Sequence, residues 1–293
     1  MLRRMSKSGW FLALPVLCCL QGPALAEEGQ DQVPDEPEVL VGGSLTDREL
    51  SQHYVRSLGM GPADQQIARW EMPICLSVLV DSEPIAAQME VRFRAIAEQV
   101  GLKVARGKCS PNVMIILAED ASGTVVQLTR RSLISMAEVP RDKQYLMTDD
   151  EAPIRWWYNF VVTSRDGDPG FQNFSSSNIK TNTVRQLTRA TVVINVPLVT
   201  GRAVDSLTDY VALVTLAEIW PDREPRSVGS ILDLFKEEPS PDLATGGVSA
   251  PRLSAFDRRF LCEVYRMPLA RAGQYQRQYL VNMLSAERSS CIR

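Results

Sequence analysis

The chain has 293 residues, 45% of them hydrophobic, and carries 32 Lys and Arg against 35 Asp and Glu, for a net charge of −3. That apolar share suits a globular domain with a real core. The absence of a basic excess argues against a nucleic-acid binder, and a single histidine, His53, excludes any centre built from several imidazoles.

The first 26 residues read as a secretory signal peptide. Arg3, Arg4 and Lys7 precede a short apolar block over 11–20, and Ala24-Leu25-Ala26 offers the small-x-small pattern that a signal peptidase cleaves after Ala26. The block is shorter than the ~20 apolar residues that a spanning helix needs. An exported protein, periplasmic or secreted, with no stable membrane span in its mature form, is therefore expected. The leader holds three basic residues and no acid, so the mature chain is three charges more negative than the whole. Residues 27–43 follow as an acidic arm, with Glu27, Glu28, Asp31, Asp35, Glu36 and Glu38 and no base up to Glu38. Its low apolar content predicts disorder.

From 44 to 293 a single α/β domain is expected, with a sheet part over about 70–200 and a helical lobe over about 201–293. Ser44 to Asp47 reads as a capped helix start, and the helix runs to Gly59. A β-branched run over 74–80 predicts a strand. Ala86, Met89, Phe93, Ile96, Ala97 and Val100 stand at helical spacing before Gly101. A short strand at 103–105, a buried strand at 112–118 and a second amphipathic helix opening at Gly123 complete an α/β layout. Strands are expected at 156–163 and 191–199. Between them lie a turn at 166–170 and a Ser- and Asn-rich loop at 171–183. Helices follow over 207–220 (capped by Ser206), 231–235, 254–265 and 275–284, with a Pro-rich loop at 239–251.

The mature chain keeps Cys75, Cys109, Cys262 and Cys291. In an oxidising compartment an even count reads as two disulfides. Three pairings exist, and Cys75–Cys109 with Cys262–Cys291 keeps each bridge local. No C-x-x-C pair points to zinc.

Two blocks carry a resemblance. One is Pro73-Ile74-Cys75 with Cys109-Ser110-Pro111-Asn112-Val113. The other joins Leu207-Thr208-Asp209-Tyr210-Val211-Ala212-Leu213 to Ser230-Ile231-Leu232-Asp233-Leu234-Phe235, Ser254-Ala255-Phe256-Asp257 and 261–265. The arrangement resembles zincin-type metallopeptidases, and more closely the uncharacterised secreted bacterial domains distantly similar to them. It implies a mixed sheet with two N-terminal crossover helices and a helical C-terminal lobe. The HExxH pair that binds zinc is missing. The corresponding helix offers only Asp209 and Glu218, with Asp205 just before it, and there Asp209 reads as a helix cap and Glu218 as solvated. No metal and no cofactor are expected.

Other chemistry is sparse. Ser177 and Lys180 stand at S-x-x-K spacing but in a polar loop. His53 has no G-x-S-x-G partner. Asp149, Asp150 and Glu151 read as a solvated loop. Trp156 and Trp157 alternate across a strand, so at most one is exposed. Asn173-Phe174-Ser175 matches a glycosylation sequon. The reading is an exported, non-catalytic protein that binds a cell-envelope protein or peptide, with 171–183 and 239–251 as contact loops. The alternative is a hydrolase using carboxylates among Asp205, Asp209, Glu218 and Asp257, or Ser177 with Lys180.

Overall fold

The structure, a computed structural model, describes residues 46–61, 65–131, 139, 141–164, 181–220, 230–236 and 251–286. The chain divides into two units, 1–43 and 44–293. The leader, its cleavage point at Ala26 and the acidic arm lie outside the described residues, as do Asn173, Ser177, Lys180 and Cys291.

Helix α1 (Asp47–Ser57) starts at Thr46, whose hydroxyl accepts the Glu49 N–H while the Glu49 carboxylate accepts the Thr46 N–H. The capping pair thus falls two residues later than Ser44 and Asp47. Strand β1 (Leu76–Leu79) leads into α2 (Glu83–Gln99), which buries Met89, Phe93, Ile96 and Ala97. Gly101, with φ of 88°, takes the left-handed turn after it. Strand β2 (Val113–Ala118) is followed by α3 (Ala121–Arg130), where the Asp120 carboxylate accepts the Gly123 N–H.

The four strands order as β1-β2-β4-β3, where β3 is Ile154–Ser164 and β4 is Thr183–Asn195. β1, β2 and β4 run parallel, and β3 pairs antiparallel to β4 along its whole length. The domain is therefore α+β with a mixed sheet. α2 is the crossover between parallel β1 and β2. α3 is not a second crossover of that kind, because the strand that follows it in sequence, β3, runs the other way. β4 begins eight residues earlier than the apolar pattern indicates, and the end of the expected strand is a helical turn, α4 (Val196–Val199). The β3–β4 register shifts between Asn159 and Phe160: Asn159 faces Arg189, Phe160 faces Leu187, and Thr188 is the extra residue. The expected strand at 103–105 is a single bridge, Val104 to Ile74.

Helix α5 (Val204–Leu216) is buried at every position from Ser206 on. It has no polar face, as expected of a helix enclosed on all sides. Its N-cap is Ala203, not Ser206, which sits in the first turn. Thr208 and Thr215 return their hydroxyl hydrogens to Val204 and Val211, four residues back, at 2.7 Å each. A 3-10 turn (Ile231–Asp233), α6 (Ala255–Arg266) and α7 (Gly273–Ser285) complete the lobe. No described helix is long and apolar enough to cross a membrane.

Cys75 and Cys109 are joined in a disulfide, with Cα atoms 6.0 Å apart, tying the start of β1 to the loop before β2. Closing 34 residues of separation is worth about 3–4 kcal/mol in a chain-entropy account. Cys262, on α6, is also disulfide-bonded. Its expected partner lies outside the described residues.

Candidate functional site

The C-terminal end of α5 is buried, so its last carbonyls cannot turn to water. Aromatic side chains from other elements take them instead. Trp70 Nε1 donates to Thr215 O at 2.8 Å, and, three residues past the helix, Trp156 Nε1 donates to Ile219 O at 2.9 Å. The Tyr265 hydroxyl donates to Leu216 O. The Tyr158 hydroxyl bonds Val214 O and accepts the Ile219 N–H at 3.0 Å. Burial pushes the pKa of Tyr158, Tyr210 and Tyr265 up, so all three stay neutral, and Tyr158 and Tyr265 act as donors.

The acids near α5 are fully engaged. Asp209 is wholly buried, not a cap. It holds Arg92 of α2 through two bonds of 2.6 and 2.8 Å and accepts the Leu253 N–H at 2.8 Å. The bonds that Arg92 donates to Asp209, opposed by partial burial, raise the Arg92 pKa. Glu218 is also buried, at 1% exposure, not solvated. It pairs with Arg185 of β4 and accepts the Ala68 N–H at 3.1 Å. Asp257 accepts from the Tyr54 and Ser230 hydroxyls at 2.6 Å each, and from the Ile231 and Ser254 N–H groups at 2.9 Å each. Asp205 takes Gln88 at 2.8 Å and Arg252 at 2.7 Å. Asp205 and Asp209 share one face of α5. Asp257 holds Ser254, next to the Arg252 and Leu253 that Asp205 and Asp209 hold, whereas Glu218 is engaged elsewhere, by Arg185 and Ala68. Among the described residues no three His, Cys, Asp or Glu side chains gather as metal ligands. The α5 surface therefore does not fit the zinc that the resemblance would imply, since its one central acid is spent on Arg92.

His53 is half-buried on α1, with its Nδ1 unbonded. Trp156 and Trp157 are both buried. Asp150 and Glu151 are exposed and Asp149 is half-buried, so the acidic loop is only partly solvated.

A cleft of about 490 Å³ opens where the start of β3 meets α5 and the turn at Ile231–Asp233. Trp156, Tyr210, Trp220, Leu232 and Phe235 form its apolar wall, and Asp149, Glu151, Arg155 and Lys236 also line it. Tyr210 stacks edge-on against both Trp156 and Phe235, at 6.0 and 5.3 Å between ring centroids. The size falls within the usual range for ligand sites.

Arg155 is the unusual member. It is 1% exposed, yet no carboxylate lies within ion-pair distance of it among the described residues. Its Nη2 donates to Ser122 Oγ at 3.0 Å and to Asp149 O, while Nε and Nη1 have no partner. Burial lowers its pKa, opposed by the charges of Asp150, Asp149 and Asp120. By strand alternation Trp157 shares its face, and Thr191 stands opposite Trp157 in register. Trp157 Nε1 and Thr191 Oγ1 are buried and unpartnered too. Each such group costs the fold about 1–3 kcal/mol. Sequence reading passed over Arg155; the one available signal was a charge beside the apolar run that starts at Trp156.

Of the loops expected to make contact, 171–183 and 239–251, residues 171–180 and 239–250 lie outside the described residues, and Thr183 already belongs to β4. Compared with known proteins, the chain matches no family model and has no significant match among curated proteins or solved structures.

Proposed function

We propose that this is an exported, non-catalytic protein of zincin-like architecture that binds a protein or peptide partner of the cell envelope. The observation that carries this reading is the fate of the acids around α5. Asp205, Asp209, Glu218 and Asp257 are each held by hydrogen bonds or ion pairs to other segments of the fold. A carboxylate engaged in this way is not available to activate water or hold a metal. The aromatic-walled cleft supplies what a binder needs: a preformed apolar surface with a few polar groups.

The test is a pull-down from the envelope fraction with the chain as its cell produces it, against an unrelated exported control and against Phe235→Ala. A partner enriched on the wild type and lost on the variant supports the reading. No enrichment over the control, or stoichiometric zinc in the purified protein, overturns it. The export half is tested by mass spectrometry of the N-terminus, where the expected first residue is Glu27.

A further inference from the structure

We propose that the open edge of β1 takes up an extended segment of a partner polypeptide as a fifth strand, antiparallel to β1. This goes beyond the cleft reading above and does not depend on it, since β1 and β3 stand at opposite ends of the sheet. Backbone parity identifies the open groups. In a parallel pair each residue turns its N–H and C=O to one side, and the next residue turns them to the other. Cys75 O accepts the Val113 N–H on the β2 side. Ser77 and Leu79 follow it, while Ile74, Leu76 and Val78 turn outward. Ile74 has an outer partner: its N–H donates to Lys103 O at 2.8 Å and its carbonyl accepts the Ala105 N–H at 2.7 Å. That bridge is the first rung of a further parallel strand. The chain then leaves the edge through Gly107, with φ of 80°. Ala105 O, the acceptor that Leu76 would meet next, takes Arg94 Nη1 at 3.1 Å. The N–H and C=O of Leu76 and Val78 are thus left without a partner among the described residues.

β1 is short, but no charge, proline or bulge interrupts it, and Leu79 is 49% exposed. On the face that carries Ser77 and Leu79, Met114 and Ile116 of β2 stand beside them in register and are only half-buried. An added strand with apolar residues on that face covers this surface. Charge sets its direction. Lys103, Arg106 and Lys108 are exposed where the open edge begins, and Asp81 and Glu83 are exposed where β1 runs on into α2. Arg106 is committed only to an exposed pair with Glu98 at 3.8 Å. An antiparallel strand brings its carboxyl-side end to the cations and its amino-side end to the acids. The segment that fits is therefore basic before and acidic after a run of alternating apolar residues. A second copy of this chain fits less well. α2 packs on β1, so two copies joined edge to edge, with strands about 4.8 Å apart, bring their α2 helices closer than the about 8–10 Å that packed helices keep. A strand without a helix of its own meets no such obstacle.

The experiment titrates the chain with the peptide Lys-Val-Thr-Val-Thr-Val-Glu by calorimetry and follows amide hydrogen exchange in β1 by NMR. Two further probes are the same peptide N-methylated at every interior residue and the charge-reversed Glu-Val-Thr-Val-Thr-Val-Lys. The first peptide is expected to bind and to slow exchange at the Leu76 and Val78 amides at least tenfold. The Ser77 and Leu79 amides, already in the β2 ladder, should stay as they are. N-methylation should cost at least tenfold in affinity, and charge reversal at least threefold. Val78→Pro removes one outward N–H and leaves the β2 ladder whole, so it should weaken the peptide at least tenfold. Because exchange and the three probes are read first on the wild type, a poorly folding variant does not stop the test. No binding, equal binding of the N-methylated or the charge-reversed peptide, or protection that spares Leu76 and Val78 overturns the proposal. So does a dimer in sedimentation that Val78→Pro dissociates, since the edge then belongs to a second copy.

Discussion

Two buried polar regions of this domain follow opposite rules. Around α5, the buried acids and the last helical carbonyls named above have partners: Asp209 has Arg92, Glu218 has Arg185, and Trp70, Tyr158 and Tyr265 close the helix end, with Trp156 on Ile219 O just beyond it. On the face of β3 turned toward Ser122 of α3, Arg155, Trp157 and Thr191 bury polar atoms that meet nothing. The contrast separates polar groups that hold the fold from polar groups the fold merely tolerates. A satisfied network stabilises by what it joins, whereas an unsatisfied one costs stability and needs another reason to persist.

Substitutions can break or sharpen that contrast. The largest effect is expected from Asp257→Ala, which strips an acceptor from two hydroxyls and two N–H groups at once. It should cost about 3–5 kcal/mol in urea unfolding, the range for removing one side of a buried charged network. Glu218→Gln should cost about 2–3 kcal/mol, less than the full range for a broken buried pair. The loss is softened because Arg185 keeps the Phe160 ring, 3.9 Å from its guanidinium carbon, and the Gln66 carbonyl at 3.3 Å. Thr191→Val tests the other face and carries the opposite sign. Removing an unpartnered hydroxyl at nearly constant shape should stabilise by about 1 kcal/mol, and a destabilised variant would show that the face is paired after all.

Asp205→Asn should have the smallest effect, below about 0.5 kcal/mol, because its pair with Arg252 is partly exposed. The bond from Gln88, opposed by burial and reinforced by a lesser bond from Arg252, holds the Asp205 carboxyl below its ordinary range. A lowered folded-state pKa means that the contribution is present above the ordinary carboxyl value. It is lost as pH falls through the lowered one. The difference between wild type and Asp205→Asn should therefore vanish in unfolding curves taken at increasing acidity.

Legibility in the sequence followed the same division. Elements that advertise themselves by apolar spacing were readable: α2 from Met89, Phe93 and Ile96, and β2 from Val113 and Ile115. The cap of α6 was readable as well, since Ser254 and Asp257 satisfy each other locally. The first half of β4 was not, because Thr183, Arg185, Gln186, Thr188 and Arg189 look like a loop until β3 pairs with them. Glu218 read as solvated because its partner Arg185 lies 33 residues away. Arg155 was invisible for a stronger reason: a missing partner leaves no mark in a linear chain.

The extra residue at Thr188 also governs how this chain tolerates changes in length. Side chains alternate across a strand, so one additional residue transfers everything on one side of it to the opposite surface. Arg185 and Leu187 thereby share a surface with Ala190, Val192 and Ile194, and Arg185 arrives at Glu218. Deleting Thr188 would turn Arg185 away and leave Glu218 facing an apolar wall, although no atom of either residue had been altered. A pairwise count of contacts would rate Thr188 as minor, with one bond from its hydroxyl to Asn159 O at 3.0 Å. Its weight lies in parity, and homologous chains that keep the Arg185–Glu218 pair should keep the odd residue between the two halves of this strand.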